Sequence, residues 1–241
     1  VAYFQAKGLS DRASDLSVNK DNVDQAISSV KSAMGGLESA EKILTQMKGV
    51  VLSAKSSTAE ERADLKEQYS TLAKQLNELI EDTSYQGLNL INSTGSNLKV
   101  EFSERSSAYL DVAGVDVHMS KLITSGSAAS SQATKLAGAA WSTVSSNTTK
   151  FDDVLDSLAS AVTTVKNNTK TLGTNIALLN TRLDFTSNYI NNLTEGSGKL
   201  TLADLNEEGA NLVSLQTSQQ LGIQALSFAG QQEQGVLKLF G

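Results

Sequence analysis

From Val23 the apolar positions fall into a helical rhythm. Val23, Ile27, Val30, Met34 and Leu37 alternate steps of four and three, which marks a helix rather than a strand. The stripe then drifts by one position to Ala40, Ile43, Met47, Val50 and Ala54, with Gly35 and Gly36 as a weak point. Val1–Asp15 carries no strong signal. Ser56-Ser57-Thr58 breaks the pattern with capping chemistry: Ser57 or Thr58 can cap, and Glu60 and Glu61 suit the positive end of the next helix. In that helix Leu65, Tyr69, Leu72, Leu76 and Leu79 repeat the spacing until Gly87 supplies a stop. Two helices joined by a short turn predict an antiparallel pair.

The middle of the chain changes period. Leu98, Val100 and Phe102 alternate with polar residues, and Leu110, Val112, Val115, Val117 and Met119 follow. This predicts a small β-hairpin with a bulge at Gly114. Ser120–Thr149, rich in Ser, Ala, Thr and Gly, reads as a loose connection. The strongest stripe comes next: Leu158, Val162, Val165, Thr169, Leu172, Ile176, Leu179, Leu183, Thr186, Ile190 and Leu193. From about Phe151 to Leu193 it predicts a helix spanning roughly 60–70 Å. The predicted rod core is Leu65, Leu72, Leu76, Leu158, Val162, Val165, Leu172, Ile176, Leu179, Leu183 and Ile190.

Glu195-Gly196-Ser197-Gly198 is expected to break this rod, and Thr201-Leu202-Ala203-Asp204 to cap a further helix. There Leu202, Leu205, Leu212, Ile223, Leu226, Leu237 and Phe240 share one seam, while Val213, Leu215, Leu221, Ala225, Phe228 and Leu239 fall off it. A helix apolar on more than one side needs more than one neighbour. The chain has little left to cover it, so other copies or other proteins are expected to.

Composition narrows the chemistry. The 241 residues hold no proline, where average usage near 5% predicts about 12. That absence favours long uninterrupted helices. With 20 basic and 26 acidic side chains the net charge is −6, a poor match for nucleic acid. No apolar run approaches a membrane span. Zero cysteines exclude disulfides and thiolate chemistry, and the one histidine, His118, cannot form a two-histidine metal site. It reads as an ordinary surface or half-buried residue. Glu195-Gly196-Ser197-Gly198-Lys199 lacks the glycine spacing of a phosphate loop. Asp152, Asp153 and Asp156 sit at an expected helix start, where the dipole explains them. No catalytic, cofactor or metal residue is predicted, and no enzyme.

Several segments share one resemblance. Ala203-Asp204-Leu205-Asn206-Glu207-Glu208, Leu212-Val213-Ser214-Leu215-Gln216, Gln219-Gln220-Leu221-Gly222, Gln224-Ala225-Leu226-Ser227 and Leu237-Lys238-Leu239-Phe240 resemble the terminal signature of bacterial flagellin. Asn77-Glu78-Leu79-Ile80-Glu81 with the run from Thr83 to Ile91 resembles the end of its N-terminal rod helices. Leu179-Asn180-Thr181-Arg182-Leu183 with the run from Tyr189 to Leu193 resembles its long C-terminal rod helix.

The resemblance implies a mainly α fold: a long antiparallel, coiled-coil-like helical rod, a small β-hairpin insert, and a C-terminal helix for the filament core. Residues 1–92 would form the N-terminal half of the rod and 93–149 the hairpin with a variable insert. Residues 150–196 would form the long C-terminal rod helix. Residues 197–241 would form the inner-tube helix, ordered only against partners. The family's further N-terminal segment, which pairs with 200–241, is expected to be missing ahead of Val1. The implied function is a structural subunit of the extracellular flagellar filament, exported by the flagellar secretion apparatus. Implied partners are other flagellin subunits, an export chaperone, and filament cap and junction proteins, with neither nucleic acid nor membrane. O-linked glycans on Ser and Thr of 120–149 are a further expectation.

The implied inner-tube or chaperone interface is Leu205, Leu212, Leu215, Leu221, Ile223, Leu226, Phe228, Leu237, Leu239 and Phe240. Many flagellins carry an Arg-x-x-x-Leu patch read by an innate immune receptor. Gln46 and Val50 stand there, with Glu78 as the acidic partner, which implies weak recognition. The alternatives are a hook–filament junction protein of the same superfamily and a surface-ligand-binding module carried on the rod.

Overall fold

The computed structural model describes residues 1–103, 107–123 and 148–240, with the backbone alone at 148–150, 202–205 and 236–240. The helices are α1 (Ala2–Ser56), α2 (Ala59–Asp82), α3 (Met119–Leu122) and α4 (Thr148–Phe240), and the strands β1 (Leu98–Glu101) and β2 (Tyr109–Val112). The chain divides into two compact units, one of Leu16–Ser187 and one of Val1–Asp15 with Asn188–Gly241.

In the larger unit α1 and α4 run antiparallel. Lys55 Nζ lies 2.6 Å from Asp152 Oδ1, and Glu41 Oε1 lies 3.4 Å from Lys166 Nζ. Moving back along α1 therefore moves forward along α4. The seam of α1 is Val30, Ala33, Leu37, Ala40, Leu44, Met47, Val51 and Ala54, all buried. The expected drift does not occur. Met34, Ile43 and Val50 are half-buried flanks, and Ala33, Leu44 and Val51 beside them are the covered positions. The buried seam keeps alternating steps of three and four from Val30 to Ala54, so one face of α1 stays turned to the core along this length. From α4, Phe151, Val154, Leu158, Ala161, Val165, Leu172 and Leu179 are buried in the same core.

The α1–α2 corner is closed by hydrogen bonds. Thr58 is the N-cap: its Oγ1 accepts from the Glu61 N–H at 3.5 Å, and its own N–H donates to Glu61 Oε2 at 2.9 Å. Ser57 instead donates to the Ser53 carbonyl at 2.8 Å, and Arg62 Nε donates to that of Ala54 at 2.9 Å, so two carbonyls of the last turn of α1 are satisfied. Helix α2 buries Tyr69, Leu76 and Ile80.

Helix α2 ends at Asp82, before Gly87. Gln86 and Gly87, at φ 52° and 82°, are the two central residues of a tight turn in which Tyr85 and Leu88 exchange backbone hydrogen bonds. Side chains take up carbonyls at the end of α2. Thr83 Oγ1 donates to the Leu79 carbonyl at 2.6 Å, and buried Asn89 Nδ2 donates to that of Ile80 at 2.6 Å.

β1 and β2 pair antiparallel, Leu98 opposite Val112 and Glu101 opposite Tyr109. The strand pairing ends at Val112, and Gly114 is not a bulge. A Cβ there would stand 2.3 Å from the Ser96 carbonyl oxygen and 2.6 Å from that of Ser93, so the glycine permits a backbone crossing. Val115 and Val117 then donate to the carbonyls of Leu90 and Ile91, at 2.8 and 3.1 Å, and Met119 opens α3. Most of the segment read as a loose connection lies outside the described residues.

In the smaller unit Ala6, Ala13 and Leu193 are buried, Ser197 Oγ donates to the Ala6 carbonyl at 2.9 Å, and the Arg12 guanidinium lies 5.5 Å from the centre of the Tyr189 ring. The opening fifteen residues, weak in signal, are helical from Ala2.

Two expectations fail in α4. The helix runs unbroken through Glu195–Lys199, so Thr201 caps nothing and its Oγ1 returns to the carbonyls of Ser197 and Gly198. Gly196 and Gly198 each cost about 1 kcal/mol of helix propensity, which an i,i+4 ion pair between Glu195 and Lys199 (2.7 Å) offsets in part. Asp152, Asp153 and Asp156 lie beyond the first turn of α4, out of reach of its dipole; Asp152 is held by Lys55.

Candidate assembly surface

The apolar side chains that the chain leaves uncovered concentrate in α4 of the smaller unit. Leu212, Val213, Leu215, Leu221, Ile223, Leu226 and Phe228 are each between 55% and 75% exposed. At 3.6 residues per turn Leu212, Leu215, Ile223 and Leu226 share one side, and Val213, Leu221 and Phe228 the other. Leu215 thus flanks the seam instead of standing apart from it. Burying one such side chain is worth about 1.5–3 kcal/mol, so a partner that covers both sides gains far more than any ion pair here supplies. The side chains of Leu205, Leu237, Leu239 and Phe240 lie outside those described. Val213 was missing from the predicted interface, and Tyr3 and Phe4 of α1, also exposed, gave no periodic signal.

The predicted rod residues belong to the core or its margin. Leu76, Leu158, Val165, Leu172 and Leu179 are buried; Leu65, Leu72, Val162, Ile176 and Leu183 are half-buried against them. Ile190, in the smaller unit, is half-buried. Gln46 and Glu78 are exposed and Val50 half-buried, on α1 and α2.

His118 precedes α3 and is half-buried between two carboxylates. Its Nδ1 lies 2.7 Å from Asp116 Oδ1 and its Nε2 2.9 Å from Glu81 Oε1. Burial pulls the imidazole pKa down, but the bonds to Asp116 and Glu81 outweigh it and the net shift is upward. Burial pushes Asp116 up, and its bonds from the His118 ring and backbone N–H bring it below its ordinary value. The carboxylates meet opposite ring nitrogens and do not converge on one point. Among the described residues no acidic and histidine cluster is arranged to hold a metal ion, and no helix is long and apolar enough to cross a membrane. A cleft of about 360 Å³ separates α1 from β1 and the turn at 85–88; in it Gln25 Oε1 accepts from the Tyr85 hydroxyl at 3.0 Å and from Gln86 Nε2 at 3.2 Å.

Residues 2–96 match the bacterial flagellin N-terminal helical region, and residues 155–240 the bacterial flagellin C-terminal helical region. The chain belongs to the bacterial flagellin family. Flagellin FljK of Caulobacter vibrioides is 30% identical over 240 residues, which is 98% of this chain and 81% of that protein. A flagellin of Brucella melitensis is 26% identical over 225 residues, covering 93% and 76%. The crystal structure of Bacillus cereus flagellin superposes with a TM-score of 0.54 at 17% identity, over 68% of this chain and 88% of that one. A chain from Vibrio parahaemolyticus described as a flagellar hook-associated protein superposes with a TM-score of 0.69 at 14% identity, over 81% and 96%. At those identities the two structures speak for the fold alone. This flagellin is thus a structural subunit of the extracellular flagellar filament, and its partners there are other flagellin subunits.

Proposed function

We propose that residues 205–240 of α4 are where this flagellin joins its neighbours, and that the ordering of this helix in solution is tied to that contact. The supporting observation is the two-sided apolar surface from Leu212 to Phe228, which no other described part of the chain covers. Leu215→Asp and Leu226→Asp in the native protein test it. Extension of short flagellar seeds, followed by negative-stain electron microscopy, should fail for both, while the melting of the larger unit stays as in the wild type. Extension at the wild-type rate by either variant would refute the reading.

The same helix is proposed to be shielded before assembly by an export chaperone, on the way through the flagellar secretion apparatus, and to meet the cap and junction proteins. A purified chaperone should bind the wild-type chain and lose most of that affinity to Leu226→Asp. The role is structural, with no catalytic step. O-linked glycans on Ser and Thr of 120–149 are proposed as well, and intact mass of the protein from native filaments reads them directly. At the immune-receptor patch Gln46 offers an amide in place of a guanidinium fork. Receptor activation in a reporter cell should be well below that of an arginine-bearing flagellin, and Gln46→Arg should raise it.

A further inference from the structure

The contacts around His118 join two parts of the larger unit that are distant in sequence. Asp116 stands on the histidine's own segment and Glu81 comes from the last turn of α2. Among the described residues the charged groups that act on the ring are Asp116 and Glu81, and Lys121 of α3 acts on Asp116. One further bond crosses the same gap, from the Met119 N–H to Asn77 Oδ1 at 3.1 Å. A neutral imidazole has one N–H, and an imidazolium has two. Both carboxylate bonds are therefore satisfied together only when the ring is protonated. We propose that His118 is a proton-operated latch, closed when charged, that ties the segment from Asp116 to Ile123, and hence the start of the insert, to the end of α2.

Loss of the proton opens the Glu81 side. Asp116 is the less exposed carboxylate and also accepts the His118 backbone N–H at 3.1 Å, so Nδ1–H stays with it. Nε2 then presents a lone pair to the Glu81 carboxylate, and an attraction becomes a repulsion. The sign follows from the raised histidine pKa. The contribution is complete below the ordinary 6.5 and is lost as pH rises through the folded value. On the acid side Asp116 is depressed, so its part holds above the ordinary 3.8 and is lost as pH falls through its own folded value. The latch to α2 is therefore open above the folded histidine value and closed below it for as long as the facing carboxylates stay ionised.

One histidine in the chain makes the titration direct. In the intact protein the Cε1–H resonance of His118 should titrate above 6.5. Across that midpoint, after correction for the intrinsic pH dependence of exchange, the amide protons of Met119, Lys121, Leu122 and Ile123 should lose protection. The loss should approach tenfold for each unit by which the midpoint exceeds 6.5. Glu81→Gln, at an exposed position, should lower the midpoint and shrink the step; His118→Gln should abolish the step. A midpoint at or below 6.5, or an equal step in His118→Gln, would overturn the latch.

Discussion

Gly35 and Gly36 stand side by side in α1 and face different surroundings. A Cβ on Gly35 meets nothing within 4 Å, whereas one on Gly36 would stand 2.5 Å from Thr83 Cγ2 and 2.9 Å from Ile91 Cδ1. Gly35→Ala should therefore stabilise the protein by up to about 1 kcal/mol through helix propensity. Gly36→Ala gains the same amount and loses about 1–3 kcal/mol to overpacking, so it should come out neutral to destabilising. Thermal melting of the two variants decides it; equal shifts of one sign would show that Gly36 is not a packing site. The sequence marks the pair as a weak point, because a glycine's local cost is visible there and its partner, 47 residues away at Thr83, is not. Gly114 is similar: the break in alternation was legible, but the cause, a crossing against Ser93 and Ser96, belongs to another part of the chain. His118 shows the same limit. Its two carboxylates are 2 and 37 residues distant, and only the near one could be found by inspection.

At the scale of elements, the period-3.6 pattern located α1 from Val23, α2, and α4 as far as Leu193, because each buries an apolar stripe there. It placed individual positions less well where apolar residues stand side by side, as at Ala33-Met34, Ile43-Leu44 and Val50-Val51. Met47, fully buried, should cost about 2–5 kcal/mol on truncation to Ala. Lys55→Met removes a half-exposed pair with Asp152 and should cost under about 1 kcal/mol. Urea denaturation followed by circular dichroism ranks them, and a larger loss for Lys55→Met would reverse the assignment of what holds α1 to α4. Thr58→Ala removes the capping box and should cost about 1 kcal/mol in the same assay. That corner was readable because Thr58 and Glu61 are near neighbours. The continuity of α4 was not. Glycines at 196 and 198 look like a stop, yet contacts such as Ser197 to the Ala6 carbonyl come from the opposite end of the chain.

For the whole molecule, burial is unevenly shared. Most buried apolar side chains lie in Leu16–Ser187, while residues 206–235 are exposed throughout. Stability should be correspondingly local. Amide protons of residues 30–54 should exchange orders of magnitude more slowly than those of 206–235 in the monomer. Uniform protection would mean that α4 is held by something other than the contacts described. The antiparallel pairing of α1 with α4 also bears on how this flagellin can change length. Between the Lys55–Asp152 and Glu41–Lys166 contacts, 14 residues back along one helix match 14 forward along the other. That is close to four turns on each side. An insertion or deletion in one helix alone would shear every contact beyond it, and any length far from a heptad would also rotate its stripe out of the core. Paired indels of seven residues, one in each helix, would leave both stripes in phase. The two halves of the gene should therefore gain and lose length together, in steps of a heptad.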